Sequence, residues 1–404
     1  MNAPCRLARG SALGELSDAL SACLCLMLTV VWLGCRPSDQ VGAGLRVSVD
    51  TSPTGTATTR HVDFETATAD WEVVEDLRIG SLAGGDSAAF SEVVTLILGA
   101  GGSLYILDQA SQQVRVFDSL GAFRLAFGRP GAGPGEFRAA VGLAWSPDQT
   151  VWVSDFRNQR YSEFSPSGEF LGSWREHVTH YTLGATLGVD DHGLLYDELL
   201  TDAGAALFVR RFRPGAEPTD SLLLTVEQGS PGFRVGRAVL GLPFGWKFVW
   251  RVDRRGRIWT ARTDRYELHC RTFDGDTLLR VVTDLDPLPV TRDERRAAVA
   301  GVEYDMRQLG VHGSPDYSRI PDVKPLIENF DIDDRGRVWV RRRTRDKLVW
   351  FDVFSPEGRF LMAVRGPWRV LAFWPVRIRG DTLVTIVKDS LNVSYVVRGR
   401  LQRR

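Results

Sequence analysis

FGRPGAGPGEFRAAVGLAWSPDQTVWVSDFRNQRYSEFSPSGEFLGSW, residues 127–174, divides into four short strand-like runs separated by turn residues. The runs are Val141–Trp145, Val151–Ser154, one ending at Phe164, and Glu169–Trp174; Pro147-Asp148, Asp155–Asn158 and Ser165–Gly168 separate them. Each is too short for a helix and is bounded by turn chemistry, which predicts four antiparallel strands. The frame recurs along the chain. An aromatic residue follows a Gly- or Asp-bearing turn at Tyr105 (GGSLYILD), Trp152 (DQTVWVSD), Tyr196 (HGLLYDEL), Trp259 (RGRIWTAR) and Trp339 (RGRVWVRR), and GDTLVTIV puts Val384 in that slot. The successive gaps are 47, 44, 63, 80 and 45 residues, a basic period of one four-stranded sheet with two insertions.

Six copies, near residues 91–127, 139–175, 181–226, 245–285, 327–365 and 370–400, predict an all-β fold, a six-bladed β-propeller. A second series keeps the register: Phe117, Phe164, Phe212, Phe273 and Phe354 follow their aromatics by 12 to 16 residues. Both series are read as core, filling the wedges between blades. The last copy has runs at Leu371–Ile378, Leu383–Val387 and Val393–Val397 but lacks an outer strand, while Trp71–Leu82 is strand-like and has no blade of its own. Pairing the two would bury an open sheet edge, so the amino-terminal strand is expected to close the sixth blade.

Within the quoted stretch, Asp155, Asn158, Arg160, Phe164 and Gly168 resemble the NHL repeat, with Gln159 and Tyr161 departing from it; Asp108, Phe117, Asp118 and Gly121 resemble it in the preceding copy. The resemblance implies a propeller scaffold. Enzymes similar to NHL proteins use channel histidines around zinc or a Glu/Asn/Asp calcium cluster, and neither set maps onto this chain.

The 80-residue gap holds the chain's clear helical signal. Thr291-Arg-Asp-Glu294 is a capping box, followed by helical spacing of Ala298, Val302 and Met306 up to Gly310, then a proline-bearing loop. The insertion 291–325 is expected outside the blades, capping one face as a lid or decorating it.

Lys+Arg and Asp+Glu both number 50 in the 404 residues, which leaves no global field for nucleic acid. Four of the five cysteines fall in the first 35 residues; the remaining one, Cys270, is read as a small buried apolar residue. Arg6 and Arg9 precede the uncharged run Ala19–Gly34, which stops at Leu33-Gly34-Cys35 and resembles the lipobox of bacterial lipoproteins. That resemblance implies lipidation at Cys35 after removal of a signal peptide. The expected organisation is a signal peptide over 1–35, a flexible tether over 36–70 with a local hairpin about Pro53-Thr54-Gly55, and a propeller over 71–404. A tether of that length spans about 30–35 Å, and the expected place is the bacterial cell envelope, lipid-anchored and extracytoplasmic, in the periplasm or at the cell surface.

Propellers bind ligands where loops converge at the channel mouth. The loops entering the inner strands carry Glu136, Arg138, His177, His180, Trp246, Lys247, Glu328, Asn329 and Trp374 as candidate ligand contacts. His177-x-x-His180 lacks the helix that would make it a chelate, and Asp331–Asp334 and Asp190-Asp191 are read as turn-stabilising, so neither metal nor cofactor is expected. The expectation is a monomeric binding or interaction module for a small molecule, glycan or protein. A lyase or hydrolase with its active site at that mouth is the alternative.

Overall fold

The structure, a computed structural model, describes residues 45–82, 87–175, 187–213, 215–216, 220–225, 232–236 and 238–404, apart from 201–206. Among these, six four-stranded antiparallel blades follow one another along the chain, blade 4 extended to a six-stranded sheet and blades 5 and 6 joined into an eight-stranded one. Blade 1 comprises Val93–Leu98, Leu104–Asp108, Gln113–Phe117 and Phe123–Phe127. Blade 2 runs from Ala140–Trp145 to Phe170–Arg175, blade 3 from Gly188–Val189 to Asp220–Thr225, blade 4 from Phe248–Val252 to Thr277–Thr283, and blade 5 from Ile327–Ile332 to Phe360–Arg365. Blade 6 has Val376–Arg379, Thr382–Lys388 and Ser394–Arg403. Each innermost strand lies against the next, and that of blade 6 returns to that of blade 1. The ring is closed.

Closure comes from the amino-terminal side. Trp71–Ile79 pairs antiparallel with Ser394–Arg403, from Val396 opposite Ile79 to Arg403 opposite Trp71. It also touches the outer strand of blade 5 in parallel, with Val364 opposite Trp71. Val73 enters a core with Val349, Val364 and Trp368, while the Trp368 indole N–H donates to Glu75 at 2.7 Å. Asp76 accepts from Arg398 and Arg400, which lowers its pKa against the effect of desolvation. The final strand therefore extends to Arg403 rather than stopping at Val397, because the closing strand supplies it with a partner. Pro375, which has no N–H to donate, delays the innermost strand of blade 6 to Val376.

The repeated aromatics and phenylalanines fill the wedges. Tyr105, Phe127, Phe137 and Phe164 share one buried cluster between blades 1 and 2, and Tyr196, Trp250 and Phe273 share another between blades 3 and 4. Buried polar clasps join neighbouring blades as well. Tyr161 of blade 2 donates to Asp197 of blade 3 at 2.5 Å, and Tyr266 of blade 4 donates to Asp352 of blade 5 at 2.5 Å. Cys270 is fully buried in the cluster between blades 4 and 5, and that burial raises its thiol pKa to about 12.

Two elements differ from expectation. Arg46–Thr51 and Ala57–Val62 form the hairpin suspected about Pro53–Gly55, and Ala57–Val62 adds parallel to Thr277–Thr283, making blade 4 a six-stranded sheet. Residues 46–62 thus belong to the fold instead of a free tether. Residues 1–44, with the signal-peptide reading, lie outside the described residues. The second difference concerns the insertion. Helix α1 (Arg292–Leu309), with the predicted capping box at Thr291 and Glu294, packs Val302 and Met306 against Phe233, Val235 and Leu240. Those three belong to a hairpin, Gly232–Val235 and Ala238–Gly241, in the connection between blades 3 and 4. Two interblade connections have combined into a small accessory core on the face where the chain enters the inner strands.

His61 locks the added hairpin in place. It is fully buried, its Nε2 accepts the Phe360 amide N–H at 3.1 Å, and its ring meets Phe354 edge-on. Burial lowers its pKa to about 4, so the folded imidazole is neutral. An unfolded chain protonates this histidine near the ordinary value of about 6.5. The unfolded state then binds more protons between the two values, so stability is complete above about pH 6.5 and declines as pH falls toward about 4. Urea denaturation at pH 7.5 and pH 4.5 should show a loss of about 2–3 kcal/mol attributable to this group. His61→Gln, which keeps an acceptor for Phe360, should flatten that part of the pH slope. Equal slopes in both proteins would contradict the assignment.

Candidate functional site: the axial channel

Blades 3 to 5 each use a turn carboxylate internally. Asp333 accepts the backbone N–H groups of Arg335 and Arg337 on one oxygen, and Arg337 Nε (2.6 Å) and Trp339 Nε1 (2.9 Å) on the other. Asp253 repeats the pattern with Arg255, Arg257 and Trp259, and Asp190 with His192, Leu194 and the Tyr196 hydroxyl at 3.0 Å. The carboxylate six residues before the aromatic caps the turn and orients the ring. This accounts for the recurrent spacing in blades 3 to 5. Asp331–Asp334 and Asp190-Asp191 are accordingly occupied by protein donors, and no cluster of metal-ligating side chains occurs among the described residues.

The NHL-like residues of blade 2 are structural too. Asp155 accepts the N–H groups of Arg138 and Ala139, Asn158 donates to Gly131 O at 3.0 Å, and Arg160 donates to the carbonyls of Ala132, Gly133 and Glu136. They hold the glycine-rich loop. Gly131 sits at φ 153° with the Glu136 carboxylate folded over it, where a Cβ would come within 2.0 Å of that carboxylate.

The nine candidate residues therefore separate. Glu136 turns back on its own loop, accepting from Gly133 N (2.7 Å) and Arg129 Nε (2.9 Å), and those donors lower its pKa. Arg138 is exposed with no side-chain partner among the described residues. Trp374 is buried in the core between blades 6 and 1 instead of facing the mouth. Trp246 stacks under the Arg262 guanidinium, 4.4 Å from its ring centre. His177 and His180 lie outside the described residues.

Lys247, Glu328 and Asn329 do come together. Glu328 is 3.7 Å from Arg341 Nε and 3.5 Å from Arg343 Nη1. Lys247 reaches solvent yet is crowded by protein; desolvation lowers its pKa, Arg343 adds to the shift and Glu328 opposes it. Asn329 accepts from Arg251 Nη2 at 2.8 Å and donates to Ala372 O at 2.8 Å. From this group a polar ladder descends the axis on the blade 4–6 side: Arg341, Arg251, Asp331, then Arg377.

At the far end of the ladder is a cavity of about 690 Å³, to which all six blades contribute, among others through Ile97, Leu143, Leu187, Arg251, Asp331 and Arg377. Its rim is made by turns leaving the inner strands, such as Ser146-Pro147, Asp190-Asp191 and Asp333-Asp334. This end is opposite the predicted mouth, and α1 does not line it. The insertion is thus not a lid over this cavity. Arg251, Arg341, Arg343 and Arg377 were missed by sequence reasoning. Their signal was present: arginine interrupts otherwise apolar patterns in the inner strands FVWRV and VRIR and in the second strand VWVRR.

A family model described as a six-bladed β-propeller matches residues 73–181. No curated protein matches the chain. Among solved structures, the chain is similar to a protein described as exported, from Bacteroides fragilis, at 12% identity over 83% of this chain and 95% of that one, with a TM-score of 0.49. It is similar to virginiamycin B lyase from Staphylococcus aureus at 8% identity over 87% and 94%, with a TM-score of 0.41. It is also similar to the PQQ-bound aldose sugar dehydrogenase of Streptomyces coelicolor at 12% identity over 83% and 100%, with a TM-score of 0.44. Together with the six blades of the ring, the family match makes the chain a six-bladed β-propeller.

The turn device predicts a contrast between adjacent carboxylates. Asp333→Ala removes both turn acceptors and strands the Trp339 indole N–H, and should cost about 3 kcal/mol in urea denaturation. Asp334→Ala, at an exposed neighbour, should change stability by less than about 0.5 kcal/mol. Equal effects would show that the turn carboxylates do not hold the blades.

Proposed function

We propose that this chain is an envelope-tethered propeller, resembling NHL-repeat lipoproteins, that binds a small molecule on its axis. The single observation that carries the reading is the cavity of about 690 Å³ where all six blades meet. Its size falls within the roughly 300–1,000 Å³ of small-molecule sites. A mixed lining of aliphatic inner-strand residues and a few charged groups suits orientation of a ligand. The polar side chains of the ladder spend many of their hydrogen bonds on backbone carbonyls and amides, as Asn329 does with Ala372, which favours a binding module over a catalyst. At the entry mouth, Lys247, Glu328 and Asn329 are the candidate contacts retained from the sequence. The lipobox-like Leu33-Gly34-Cys35 supports a lipid anchor at Cys35, and hence an extracytoplasmic, membrane-associated place.

Two readouts test this. The full chain, incubated with a metabolite extract and inspected by native mass spectrometry, should retain a small molecule that is released chemically unchanged. A released product differing from the captured compound would favour the lyase or hydrolase reading, and retention of nothing would remove the binding reading. Cys35→Ser should move the protein from the membrane to the soluble fraction; unchanged fractionation would contradict the anchor.

A further inference from the structure

We infer that the axial cavity takes a ligand bearing an oxyanion, a carboxylate or a phosphate, received by Arg377 beside Arg251. This rests on the axial-binding reading above and adds the chemical class of what is bound.

The charge arrangement carries the inference. Two guanidinium groups of the lining, Arg251 and Arg377, act on one carboxylate, Asp331, while Arg341 lies outside the lining with Glu328 3.7 Å from its Nε. Arg251 Nε lies 3.4 Å from Asp331 Oδ1, and that guanidinium also donates to Asn329 and to Trp250 O. Asp331 Oδ2 is already taken by the Val376 amide N–H at 3.3 Å. Arg341 is nearly fully buried, its side chain 2% exposed, and it donates through Nη2 to Ala372 O at 2.7 Å and to Trp374 O at 3.5 Å. Its Nε and Nη1 make no hydrogen bond among the described residues. Arg377 lines the cavity and donates Nε to Leu96 O at 3.1 Å; no carboxylate lies within ion-pair distance, and its two Nη groups find no partner among the described residues.

An arginine held by Nε presents its terminal Nη pair as a fork, the geometry that takes a carboxylate or phosphate through two parallel bonds. A confined charge with no counter-charge within ion-pair distance is costly, and an oxyanion bound at Arg377 relieves that cost. Burial lowers the pKa of Arg377, Asp331 opposes the shift and Arg251 adds to it. Most acidic residues elsewhere on the lining are spent on other partners, and the exposed Asp334 accepts the Gly380 N–H at 3.0 Å. Asp253 and Asp333 are tied to Arg257 and Arg337 in their own turns, and Asp191 pairs with Arg254. Asp190, on blade 3, lies on the opposite side of the ring from blade 6 and accepts from its own turn.

The test titrates the full chain with succinate and with inorganic phosphate, each at constant ionic strength set with sodium chloride, and follows Tm and calorimetric heat. Either oxyanion should raise Tm by a few degrees over the chloride control when near saturation. Arg377→Gln should weaken the effect at least tenfold, and Arg377→Lys, which keeps charge but loses the fork, should fall between. A response to succinate alone identifies a carboxylate site, and to phosphate alone a phosphate site. Should Arg377→Gln fail to fold, phenylglyoxal labelling of Arg377 in the unaltered protein, read by peptide mass spectrometry, gives the answer: the effective oxyanion should protect it and chloride should not. No response to either oxyanion, or undiminished binding by Arg377→Gln, overturns the inference. Glucose serves as a neutral probe. If it bound in the channel while both oxyanions failed, axial binding would stand and the anionic class would fall.

Discussion

The pairing of Trp71–Ile79 with Ser394–Arg403 is the constraint on which the remaining geometry rests. In every other blade the four basic strands form a hairpin-connected meander, to which blade 4 adds the Arg46–Val62 hairpin at its edge. Blade 6 alone takes one of its four basic strands from the other side of the chain, more than 300 residues away. Its closing strand buries Val73 against Trp368, neutralises Asp76 with two arginines and removes what would be a free sheet edge. Once that edge is zipped, the innermost strands of blades 6 and 1 become neighbours. The spacing of all six around the axis, and with it the cavity, follows from closure.

Within this ring the charges are organised on two levels. Near the exit turns of blades 3 to 5, each capping aspartate is satisfied by donors of its own blade, so these acidic residues are part of the turn and contribute little to the channel. Along the axis the balance differs. Arg251 and Arg377 come from blades 4 and 6 and flank Asp331 of blade 5, while blades 1 to 3 contribute apolar residues such as Ile97, Leu143 and Leu187. A ring that is repetitive in sequence therefore encloses an asymmetric site. The accessory core of α1 and the 232–241 hairpin stands on the other face and adds further asymmetry outside the channel.

The legible features were those whose cause is local. Turn–aromatic spacing, the Asp155–Arg160 turn of blade 2 and the Thr291 capping box each encode an interaction within a few residues, and the structure forms each of them. The closing strand was legible by elimination, since one blade lacked a strand and one strand lacked a blade. Contacts decided by distant partners were not. Ala57–Val62 carries few apolar residues, and its place on blade 4 depends on burial of Thr59 and His61, which look like surface residues in sequence. Trp374 resembles a mouth residue, but where an aromatic at a strand entry points depends on the neighbouring blade, and here it points into the core. The axial arginines fall in the same category: each looks like an ordinary strand-surface charge until three blades place them side by side.

Amide hydrogen exchange across the last blade tests closure most directly. If the ring is zipped as described, the amides of Trp71–Ile79 and Ser394–Arg403 that pair across the seam should be protected to the same extent and exchange together, through the opening that also exposes the inner strand of blade 6. Exchange of Trp71–Ile79 orders of magnitude faster than its partner strand, with the rest of blade 6 still protected, would contradict the closed ring and the axial cavity that depends on it.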